Sequence, residues 1–456
     1  MIHKFKMHGT NIVTDINSGA VHVVCDIVYD ILDLIDAVPQ SLHGECPAEI
    51  IDSLGSKYSK EDIIESYNEI IELCKVDMLY TDDKYGEIAE KINRKPQIKA
   101  LCLHVSHDCN LRCKYCFAGT GNFSGERCIM SEETGKSAID FVIANSGSRK
   151  NIEVDFFGGE PLMNFEVVKA VADYAIEQGQ RYNKIFRLTL TTNGVLLDDE
   201  KLDYINKNMS NLVLSIDGRK MVNDDMRKTV SGGGSYDVIM PKLKRAADSR
   251  SQDNYYVRGT FTRFNLDFAN DVLHLADEGF KQISIEPVVG GKEQDYSIKE
   301  EDLPIIFDQY EILATEYVNR RKNGNWFNFF HFMIDLNQGP CVIKRMSGCG
   351  AGCEYIAVTP DGDIYPCHQF VGNNEYLLGN VLNNNYNTTI TQDFADSNVY
   401  TKPKCKECWA KFYCSGGCHA NAYQFSGTID EPYQIGCEME RKRVECALYI
   451  QAQLVE

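Results

Sequence analysis

The chain has 456 residues, enough for two to four domains, and its 43% hydrophobic and 25% charged residues are an ordinary globular balance. Its net charge of −19 argues against a basic nucleic-acid-binding surface. No run of about 18 apolar residues exists to span a membrane, and Met1-Ile2-His3-Lys4-Phe5-Lys6 lacks the apolar core of a secretory signal, so the expected location is cytoplasmic.

The first 95 residues hold no cysteine cluster. Thr10–Asp15 alternates as a strand does, 20–24 reads as a second strand, and Asn17-Ser18-Gly19 supplies the turn. Asp26–Ala37 spaces its apolar residues as a helix does. Residues 59–74 predict another helix, with Ser59 as cap, Glu61 and Asp62 in the first turn, and Ile63, Ile64, Tyr67, Ile70 and Ile71 on one face. Strands followed by helices make a small winged-helix-like module over 1–95. It resembles the leader-peptide recognition domain of peptide-modifying enzymes, where the leader adds a strand to a sheet edge. DNA binding is the other use of such a module. Cys25, Cys74 and Cys102 have apolar neighbours and, with Cys46, read as small core residues.

From about 97 to 320 strands and helices alternate. Candidate strands are Ala100–Ser106, 152–157, 186–192, 212–216, 255–262 and Gln282–Pro287; a helix capped by Ser131 follows the first. Repeated β-then-α units imply a parallel sheet with right-handed crossovers. After the first strand comes Cys109-Asn110-Leu111-Arg112-Cys113-Lys114-Tyr115-Cys116-Phe117, with C-x3-C-x2-C spacing. Three thiolates in one loop can hold three irons of a [4Fe–4S] cluster and leave the fourth iron open. A zinc knuckle is the alternative, but it usually needs paired ligands that are missing nearby.

This loop resembles that of the radical S-adenosylmethionine (SAM) enzymes. The resemblance implies a partial (β/α)6 barrel over 96–325, with Cys109, Cys113 and Cys116 as catalytic cluster ligands and the site at the C-terminal ends of the strands. It also assigns the SAM pocket. Tyr115 completes the loop motif. Gly158-Gly159-Glu160-Pro161 matches the segment that holds the SAM amino group. Thr192 and Asn193 face its ribose or methionine, and Ser215, Asp217 and Arg227 belong to the strand-four motif that binds the carboxylate. Val288 touches adenine. Chemically, Glu is a strong acceptor and Arg a charge-assisted donor; a surface ion pair of Arg227 with Asp224 or Asp225 is the plainer reading.

From about 340 to 440 the chain is rich in Cys, Gly and Asn, with few long periodic segments. Cys353 precedes Gly362-Asp363-Ile364-Tyr365-Pro366-Cys367, then Cys405-x2-Cys408-x5-Cys414-x3-Cys418 and Cys437. This order is similar to the SPASM domain of peptide-modifying radical SAM enzymes, which implies a Cys-rich SPASM domain over 326–456 with two auxiliary [4Fe–4S] clusters, three clusters in all. Carried over, one auxiliary cluster takes Cys405, Cys408, Cys414 and Cys437. The other takes Cys367, Cys418 and cysteines near Cys349 and Cys353; Cys341 is a third candidate for those two places, and one place can remain open for a substrate thiolate.

The three parts together resemble the maturases of SCIFF peptides (six cysteines in forty-five residues). That implies an oxidoreductase forming sulfur-to-carbon thioethers, with threonine as the expected carbon donor, in a ribosomal precursor peptide with an N-terminal leader, and a low-potential electron donor as second partner. Formylglycine formation or carbon–carbon cross-linking on the same scaffold is the alternative. A non-catalytic iron–sulfur electron carrier ranks below both.

Overall fold

The computed structural model describes every residue except 38–43, 92–95, 124, 292, 335–341, 384 and 455–456; Cys341 therefore lies outside the described residues. Strands β1 (Ile2–Met7), β2 (Thr10–Asp15) and β3 (Val21–Val24) form an antiparallel sheet in that order. The helices Asp26–Ala37, Ala48–Leu54 and Lys60–Lys75 cover it, and Ser59 caps the last by accepting from the Asp62 amide. Val13, Ile31, Leu32, Ile63, Tyr67 and Ile70 make a separate small core here. Cys25 is exposed and Cys46 and Cys74 are only half-buried, which corrects the core reading for Cys25; only Cys102 of the four is fully buried.

The remaining strands are β4 (Ala100–Ser106), β5 (Leu111–Cys113), β6 (Asn151–Gly158), β7 (Ile185–Thr192), β8 (Asn211–Ser215) and β9 (Arg227–Thr229). After them come β10 (Tyr255–Phe261), β11 (Gln282–Pro287), β12 (Asn328–Phe329), β13 (Tyr355–Val358), β14 (Asp363–Tyr365), β15 (Gly379–Asn380) and β16 (Asn385–Tyr386). Six of these, in the order β4-β6-β7-β8-β10-β11, are parallel neighbours. Each lies within the expected strand range to about a residue, and the intervening helices make this the barrel-type α/β sheet expected.

Strand alternation decides the chemistry of the two sheet faces. Ile152, Val154 and Phe156 of β6, Leu188 and Leu190 of β7, and Leu212 and Leu214 of β8 are buried in the main core with the helices. Between them stand Asp155, Thr191 and Ser215. On β10 and β11 the cross-strand partners Thr260 and Glu286 continue the same polar face. The sheet thus buries an apolar face and presents a polar one.

Two features were not legible in the sequence. The C-terminal domain extends the barrel sheet: β13 pairs in parallel with β4, and β14, β15 and β16 follow antiparallel. The second is a long helix, Gln434–Leu454, which follows that Cys-rich stretch. This helix shares the main core through Met439, Val444, Leu448 and Ile450.

Candidate active site

The cluster loop leaves β4 and enters β5, which pairs antiparallel with β9. Cys113 stands opposite Arg227 in that register. Arg227 is therefore placed by the backbone beside the thiols, and the plainer reading, a surface pair with Asp224 or Asp225, is corrected. Its side chain is buried and its Nε donates to Asp217 at 3.0 Å. Asp217 also accepts from the Tyr115 hydroxyl at 2.7 and 2.8 Å and from the Thr260 amide at 3.1 Å. Asp217 is completely buried and does not reach the cavity wall; it holds Arg227 and Tyr115, which do.

A cavity of about 220 Å³ lies at the C-terminal ends of the strands. Cys109, Cys113 and Cys116 are at one end, with Tyr115, Gly158, Gly159, Glu160, Thr192, Asn193, Ser215, Arg227 and Val288 around it. Pro161 instead opens a buried helical turn behind Glu160. The two glycines are required by contact: a Cβ on Gly158 would stand 2.3 Å from the Ser106 carbonyl oxygen, and one on Gly159 2.1 Å from that of Asp108. Their backbone thus lies directly against the chain entering the cluster loop.

Glu160 is buried and accepts from Thr192 Oγ1 at 2.6 Å, the Asn193 amide at 2.8 Å and the Leu162 amide at 3.0 Å. Burial pushes its carboxyl up to about 6 against these bonds. Burial likewise raises the Cys109 thiol to about 11 and Cys113 to about 12, with neighbouring thiols adding to the shift and Arg227 opposing it. Three half-buried thiols that feel one another, open to a cavity on one side, suit a cluster with one unligated iron.

Sequence reasoning passed over several wall residues. Arg258 and Glu286 form an ion pair at 2.7 Å. Burial alone would raise Glu286, but Arg258 outweighs it and lowers the carboxyl. Thr191, also on the wall, donates through Oγ1 at 3.0 Å to Asp155 behind it, whose carboxyl burial raises to about 7. Their only sequence signal is polarity at alternate positions of apolar strands. His368 and Gln369 also line the cavity. His368 accepts or donates at 3.1 Å with the Tyr355 hydroxyl and packs between Phe117 and Phe157. Its signal was its place directly after Cys367.

The C-terminal cysteines form two sets. Cys405, Cys408, Cys414 and Cys437 line one cavity, also of about 220 Å³. Cys367 feels Cys418 and Cys349, and Cys418 feels Cys349. Cys353 is buried and acts on Tyr386. Among the described residues no three His, Cys, Asp or Glu side chains close up on a single metal ion. Sulfur-only ligand sets suit zinc and iron–sulfur clusters alike, and the C-x3-C-x2-C loop upstream is what favours clusters.

Residues 103–267 match the sequence model of the radical SAM superfamily, and residues 349–409 match that of the SPASM iron–sulfur cluster-binding domain. The chain carries a radical SAM domain followed by a SPASM domain. With them go SAM and three [4Fe–4S] clusters, one of the radical SAM type and two auxiliary. The chain is 26% identical over 400 residues to the radical SAM cyclopropyl synthase TigE of Paramaledivibacter caminithermalis, covering 79% of this chain and 74% of TigE. It is 24% identical over 347 residues to the cysteine-type anaerobic sulfatase-maturating enzyme of Clostridium perfringens strain 13, covering 71% and 89%. AdoMet-bound anSMEcpe has the same fold at TM-score 0.64 and 22% identity, over 78% of this chain and all of that one. Streptococcus suis SuiB bound to S-adenosylmethionine matches at TM-score 0.55 and 15% identity, over 95% of this chain and 98% of its own. No helix among the described residues is long and apolar enough to cross a membrane.

Proposed function

We propose that this radical SAM/SPASM enzyme forms intramolecular thioethers, from cysteine sulfur to a carbon of a second residue, in a ribosomal SCIFF-type precursor peptide. The observation that carries the reading is a shared wall. His368 and Gln369, which directly follow Cys367, line the SAM cavity together with Cys109, Cys113 and Arg227. In this reading a substrate lying over SAM reaches past His368 and Gln369 toward the auxiliary cluster held by Cys349, Cys367 and Cys418. With Cys353 and Cys341 left out of the ligand set, these three leave one position of an auxiliary cluster for a thiolate of the substrate.

The residues then have distinct tasks. Glu160 and Arg227 hold the ammonium and carboxylate of SAM, and Gly158 and Gly159 let the backbone approach it. Phe117, Phe157 and His368 exclude water from the reacting carbon. Bound SAM with its cluster would supply the hydrogen-abstracting chemistry, and auxiliary clusters held by the C-terminal cysteines would supply the acceptor for the electron left when the bond closes. A low-potential donor completes the partner set.

The N-terminal module supports a peptide substrate. In the β1-β2-β3 sheet β3 is an edge, and Val23 on it is exposed; such an edge accepts an added strand. SuiB, whose fold spans 95% of this chain, has been solved with its precursor peptide SuiA. Formylglycine formation is the second reading, favoured by the similarity to cysteine-type sulfatase-maturating enzymes over 71% of this chain.

Titrating reconstituted enzyme with a six-cysteine peptide, while recording the electron paramagnetic resonance of the reduced auxiliary clusters, separates the two. Thiolate ligation predicts a changed signal that disappears when the peptide's cysteines are serines. A tightly bound peptide that leaves the signal unchanged contradicts it, and formylglycine appearing in a sulfatase-type peptide establishes the second reading.

A further inference from the structure

Lysine is almost never fully buried without a partner, because an unpaired buried ammonium is costly. Lys402 is 1% exposed. Among the described residues no carboxylate oxygen lies within 4.0 Å of its Nζ, whereas the other near-buried lysine, Lys411, pairs with Asp83 at 2.9 Å. The Lys402 ammonium donates at 3.1 Å to the carbonyl oxygen of Gly416. That carbonyl belongs to Ser415-Gly416-Gly417, three successive left-handed residues with φ of 60°, 88° and 74°. This turn connects Cys414, in one ligand set, to Cys418, in the other.

Lys402 is also tied to the first set through its backbone. Its carbonyl accepts from the Cys405 amide at 2.9 Å and opens the short helix Pro403–Lys406 that carries Cys405. The charges that act on the ammonium are Cys405, Asp430, Cys414 and Cys418, thiols of both sets among them. Asp430 itself is engaged by Ser397 Oγ at 2.7 Å. The anions that match a cation in this position are the two clusters themselves, each carrying net negative charge with its thiolates.

We propose that Lys402 is a shared internal counter-cation of the two auxiliary clusters, a positioning and tuning residue that raises the reduction potential of both. A fixed positive charge stabilises the more negative, reduced state of each neighbour. It thereby favours passage of an electron from the substrate side into the auxiliary pair. The inference rests on the two ligand sets and is independent of which bond the enzyme makes.

The test is a redox titration of reconstituted full-length protein, with iron and sulfide counted beforehand. Wild type must load three clusters; if it loads fewer, the ligand sets are wrong and the inference falls with them. Lys402→Gln keeps a donor for Gly416 and removes the charge. At fixed potential it is expected to lower the reduced-to-oxidised ratio of both auxiliary clusters by on the order of tenfold, about 59 mV for a one-electron couple, leaving the radical SAM cluster unmoved. Lys402→Arg is expected to retain the wild-type potentials. Unchanged potentials in Lys402→Gln, or a shift in only one auxiliary cluster, overturn the proposal. If Lys402→Gln loads no auxiliary cluster while Lys402→Arg loads both, charge is required and the proposal stands. If neither variant loads, the shape of the turn is what matters and the proposal falls.

Discussion

Asp217 shows how one buried carboxylate orders a site it does not touch. It accepts from Arg227, Tyr115 and the Thr260 amide, and so fixes the cation that stands opposite Cys113. Breaking a buried ion pair from one side strands the other charge, at a cost of about 3–5 kcal/mol. Asp217→Asn is therefore expected to lower the melting temperature and to weaken SAM binding together; a variant that binds SAM as wild type does would remove Arg227 from the site. Cys113→Ala should abolish SAM cleavage, measured as 5′-deoxyadenosine released after reduction, and continued release would contradict the cluster assignment. Glu160 has a pH signature. Its folded carboxyl is raised to about 6 from 4.5, so in the SAM-free protein it contributes stability that is full below 4.5 and is lost as pH rises through 6. In the proposed role SAM reverses the sign, since an ammonium held by Glu160 favours the carboxylate. SAM affinity should fall as pH drops through about 6, and Glu160→Gln should bind weakly with that slope removed. A wild-type affinity flat between pH 5 and 7 would contradict the role.

At the level of elements, the site is made where three segments meet edge to edge. β5 and β9 set Cys113 against Arg227, and the Gly158-Gly159 turn lies against the Ser106–Asp108 segment with no room for a Cβ. Gly159→Ala should fold, with near-wild-type helix content by circular dichroism, yet lose most SAM binding because the turn must retreat; full binding would mean that the close approach is dispensable. These meetings also explain what could be read beforehand. Helix Asp26–Ala37, the Ser59 and Ser131 caps and the six barrel strands follow from periodicity and capping within one segment. The β5–β9 pairing joins residues more than a hundred positions apart, and no local pattern encodes it. For the same reason the roles of Arg258, Glu286 and His368 were missed: each is ordinary in its own segment, and only the assembled sheet brings them to one wall. Asp217 was assigned to the pocket by its motif, and only packing shows it standing behind.

Across the whole molecule, the N-terminal module is built into the enzyme rather than tethered to it. Phe5, Met7 and Ile12 belong to the main core. His3 stacks on Trp409 at 3.7 Å and pairs with Glu445 on the C-terminal helix. Ile16 packs with Met346, Val399, Cys405 and Phe412, and Asp83 receives Lys411 and Tyr400. Removing residues 1–95 should therefore expose core and auxiliary-site surface, giving aggregation or a melting temperature lower by several degrees; a soluble truncated protein of unchanged melting would contradict this integration. The module thus stands directly on the segment that carries Cys405, while His368 and Gln369, which follow Cys367, line the SAM cavity. A peptide anchored at the β3 edge and reaching the cavity would be held by one continuous body. The most direct test of the thioether reading is the mass of a six-cysteine precursor peptide after anaerobic incubation with reconstituted enzyme, SAM and a strong reductant. The account predicts loss of two hydrogens per cross-link, with one cysteine fewer open to alkylation each time. An unchanged peptide mass alongside released 5′-deoxyadenosine would contradict it and leave the radical SAM assignment with a different substrate.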